Sequence, residues 1–72
     1  MMKWRTVITE GMDGMFVAQV PALPGCISQG RTREEALTNI AEAIEGYLES
    51  LEKHGEPIPP PVSEEIVEVA AR

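Results

Sequence analysis

A single cysteine among 72 residues leaves no partner for an internal disulfide. Histidine and aspartate also occur once each, as His54 and Asp13, and no cluster of metal ligands forms along the chain. Two-ion nuclease chemistry needs several carboxylates converging on one point. Asp13 sits in a hairpin tip, while the glutamates spread along a helix. Serine-histidine-acid catalysis is equally unsupported, because no G-x-S-x-G turn occurs and no acid stands near His54 in sequence. The glycines punctuate turns and form no phosphate-binding fingerprint. Only six lysines and arginines are present against twelve acids, giving a net charge of −6. A chain without a basic stripe gains little from neutralising phosphates, so no direct nucleic-acid binding is expected. No apolar run is long enough to span a bilayer, and no basic-apolar-small leader pattern opens the chain. These absences predict a non-enzymatic protein of the cytoplasm, with no cofactor, no metal and no membrane attachment.

What is present fits one small domain over residues 1–72. Its hydrophobic content of 43% suits a folded globule. A chain of this length buries only about 60% of its unfolded surface, so with no disulfide or metal to help, oligomerisation is the remaining common remedy. Cys26 reads as a small buried apolar residue with no basic neighbour to activate it.

Residues 3–10 are rich in β-branched and aromatic side chains and predict a first strand. Gly11-Met12-Asp13-Gly14 supplies hairpin chemistry before a second strand over 15–20. Apolar side chains fall on both faces of that strand, so its outer face is expected to be covered. Pro21 ends it because proline cannot donate to a ladder. After the Pro24-Gly25 turn, residues 26–29 make a short third strand. Thr32 and Glu35 have capping-box spacing and open a helix expected over 33–54, with Gly55 at its left-handed end. Leu37, Ile40, Ala41, Ile44, Leu48 and Leu51 recur at helical spacing as the stripe that packs on the sheet. Residues 56–62 are proline-rich and extended. Residues 63–70 read as a final strand, with a terminal helix as the alternative. The predicted fold is therefore α+β, in the order β-β-β-α-β, with one long helix on a small, mostly antiparallel sheet.

The string P-A-L-P-G-C-I-S-Q-G over residues 21–30, followed by T-R-E-E-A-L-T-N over 32–39, resembles the HicB-type antitoxin family. The Asp13-Gly14 turn, the second strand and the Ile58-Pro59 segment fall in the same order as in that family, so the likeness spans almost the whole chain. The resemblance implies a fold similar to a reduced ribonuclease H. It further implies a protein that binds and neutralises a small basic HicA-type toxin, which cleaves mRNA. Many such antitoxins carry a C-terminal DNA-binding module, and here the stand-alone form without one is expected.

Glu42, Glu45, Glu49 and Glu52 share one helix flank, open to two readings: a solvated face, or an acidic surface that docks on a basic partner. The other flank holds Ala43, Gly46 and Tyr47. Glycine inside a helix costs about 1 kcal/mol against alanine, which makes this small-residue flank a candidate oligomer contact. On the sheet, Trp4, Met15 and Val17 are the corresponding candidates. The functional alternative to an antitoxin is a homo-oligomeric scaffold or ligand-binding protein with no toxin partner.

Overall fold

The structure is a computed structural model and describes residues 3–60 and 67–70. Three strands, β1 (Val7–Glu10), β2 (Phe16–Gln19) and β3 (Ile27–Gly30), precede one helix, α1 (Arg33–Lys53). The strands form an antiparallel sheet in the order β1-β2-β3. Its register sets Ile8 opposite Ala18 and Ala18 opposite Ser28. The helix packs on β3 and β2, giving the expected layer of helix on sheet.

Alternation along the strands decides which residues meet the helix. Ala18 and Val20 are buried, with Phe16 and Ile8 packed beside them. Leu23 completes this core from the loop between β2 and β3, where it is fully buried. Backbone bonds close that loop around it: Leu23 N–H donates to the Val20 carbonyl at 3.0 Å, and Cys26 N–H donates to the Leu23 carbonyl at 2.9 Å. Cys26 is buried in the same cluster, and desolvation raises its thiol pKa above the ordinary 9.0.

Gly30 ends β3 where the chain turns into the helix. A Cβ at this position would lie 2.5 Å from the Ala36 backbone nitrogen, so only glycine lets strand and helix approach so closely. The helix cap is built as the Thr32–Glu35 spacing requires. Thr32 Oγ1 accepts from Glu35 N–H at 3.0 Å, while Glu35 Oε1 accepts from Arg31 N–H at 3.1 Å. The carboxylate thus reaches one residue further back than in the usual box. At the other end Gly55 takes a φ of 66°. Gly55 N–H donates to the Glu52 carbonyl and Glu56 N–H to the Leu51 carbonyl, which is a Schellman closure.

The packed stripe of α1 is rotated from the one the apolar spacing predicts. Ala36 and Ile40 are buried, Ala43, Ile44, Tyr47 and Leu48 pack beside them, and Leu37 is 41% exposed. The close approach at Gly30 is the physical reason. It sets the first turn of the helix against the end of the strand, where Ala36 is fully buried.

The expected final strand falls partly beyond view: positions 63–66 lie outside the described residues. Residues 67–70 have no regular structure, and Val67 and Val69 are exposed.

Candidate protein-binding surface

Glu42, Glu45, Glu49 and Glu52 all lie exposed along α1, at steps of three and four that hold them on one flank. They form an acidic ridge facing away from the sheet. Shallow open hollows beside it are lined by Gly46, Glu49, Ser50, Lys53 and His54, and by Glu49, Glu52 and Lys53. His54 Nδ1 lies 2.8 Å from the Ser50 carbonyl, which places the ring against the last turn of the helix. Among the described residues no three histidine, cysteine, aspartate or glutamate side chains gather as a metal site.

The small-residue flank divides. Gly46 is exposed, with nothing within 4 Å of where its Cβ would stand. Ala43 and Tyr47 instead turn toward the core of their own chain. The Tyr47 hydroxyl donates to the Pro24 carbonyl at 3.0 Å, tying the helix to the proline-glycine loop. Asn39 ties it to the sheet in the same way, its Nδ2 donating to the Gln29 carbonyl at 2.8 Å.

The sheet residues divide as well. Trp4 packs against the core on the helix side. Val17, one residue from buried Ala18, points to the opposite face, and Met15 shares its parity. That outer face also holds Val7, 37% exposed, and Ile27, 56% exposed, which the sequence reasoning did not single out. The register places both beside Gln19, and Val17 lies between Thr9 and Gln29. Pairing, which a single strand pattern does not reveal, is the signal that finds them. No described helix is long and apolar enough to cross a membrane.

Comparison with known proteins adds a consistent result. A family model for the HicB-like antitoxin of bacterial toxin–antitoxin systems matches residues 4–71. A UPF0150 protein of Thermoplasma acidophilum is 57% identical over 65 residues, covering 90% of this chain and 94% of that protein. One from Synechocystis is 46% identical over 56 residues, 78% of this chain and 71% of its own length. Another, from Helicobacter pylori, is 59% identical over 46 residues, 64% of this chain and 62% of its own length. With the matched span running from the first strand past the helix, the chain belongs to the HicB-like antitoxin family.

Proposed function

We propose that this chain is a non-catalytic, cytoplasmic protein-binding module that neutralises a small basic ribonuclease toxin of the HicA type. Family membership supports the antitoxin role, and the exposed ridge of Glu42, Glu45, Glu49 and Glu52 is the observation that selects a basic partner. An acidic surface laid over a cationic RNA-binding surface speeds encounter and disfavours wrong partners. It also competes directly with the phosphates such a toxin must hold. The described residues offer this role an interaction surface and no catalytic constellation.

The test pairs the purified chain with the product of a short basic reading frame beside its gene. A stoichiometric complex that stops mRNA cleavage is the expected result. Cleavage unchanged by a tenfold molar excess of this chain, or the lack of any such frame, overturns the reading.

The module acts as a homo-oligomer built on two-fold dimers. The small core, the apolar positions Val7, Val17 and Ile27 on the outer sheet face, and exposed Gly46 support this. Without a toxin, the same assembly serves as a scaffold or ligand-binding protein.

A further inference from the structure

We draw no further inference here: the strongest candidate, the outer face of the sheet around Val7, Val17 and Ile27, carries no proposal of its own because nothing in the structure shows what covers it.

Discussion

At the scale of single residues, the fold depends on a few positions where space is fixed. Gly30 is the tightest. Adding one methyl there drives a carbon against the Ala36 nitrogen and the Glu35 carbonyl carbon, both backbone atoms that cannot rotate aside. Gly30→Ala is expected to lower stability by about 1–3 kcal/mol, the usual cost of overpacking. Gly46 is the contrasting case, since a methyl there meets nothing. Gly46→Ala should raise monomer stability by about 1 kcal/mol through helix propensity alone. Urea titration of both variants checks the pair, and equal effects would refute the difference in local packing. Cys26 adds a pH dependence. Its thiol pKa is raised by burial, so the folded state holds the proton after the unfolded chain has released it. Stability from this group is therefore full below the ordinary thiol value of 9.0 and declines as pH rises through and beyond it. Replacing Cys26 with alanine should flatten that alkaline decline, measured by denaturation between pH 8 and about 11.

The helix shows which features of an element a sequence reveals. Its ends were legible because caps are local: Thr32 with Glu35 at the start, and Gly55 just past the finish, satisfy free backbone groups within a turn. Its packed face was less legible. Leu37 has the right spacing for the stripe, yet the approach at Gly30 sets the first turn of the helix against the strand, with Ala36 buried and Leu37 at the rim. The three strands were legible from β-branched content and turn residues, while the place of exposed Val7 and Ile27 together on the outer face waited on register. The candidate site followed the same division. The acidic flank needed only helical spacing, whereas Ala43 and Tyr47 were drawn to the core by tertiary contacts no periodicity encodes. Two predictions belong to this element. Thr32→Ala should cost about 1 kcal/mol by leaving the Glu35 N–H without its acceptor, seen as a lower denaturation midpoint. Glu45→Lys with Glu49→Lys should slow association with a basic toxin and reduce its salt dependence, with little change in dissociation, as rim charges do. Association rates that stay the same across ionic strength would return the flank to a solvated face.

For the whole molecule, size sets the terms. Among the described residues Ala18, Val20, Leu23, Cys26, Ala36 and Ile40 form the buried core, and Leu23 is the one large, fully buried side chain in it. Cores of chains this short rarely supply more than about 3–5 kcal/mol. Truncating Leu23 to alanine removes about 2–5 kcal/mol, enough to unfold an isolated copy. The proposed association would change that outcome, because a contact made only by folded copies draws the equilibrium toward folding by mass action. The thermal midpoint of the unaltered chain should therefore climb with protein concentration across the micromolar range. Leu23→Ala should be largely unfolded when dilute and regain helical signal when concentrated. Calorimetry and circular dichroism over a hundredfold range of concentration read both effects. A midpoint independent of concentration would mean that the six-residue core is sufficient by itself, and the assembly would then have to be sought in the toxin complex alone.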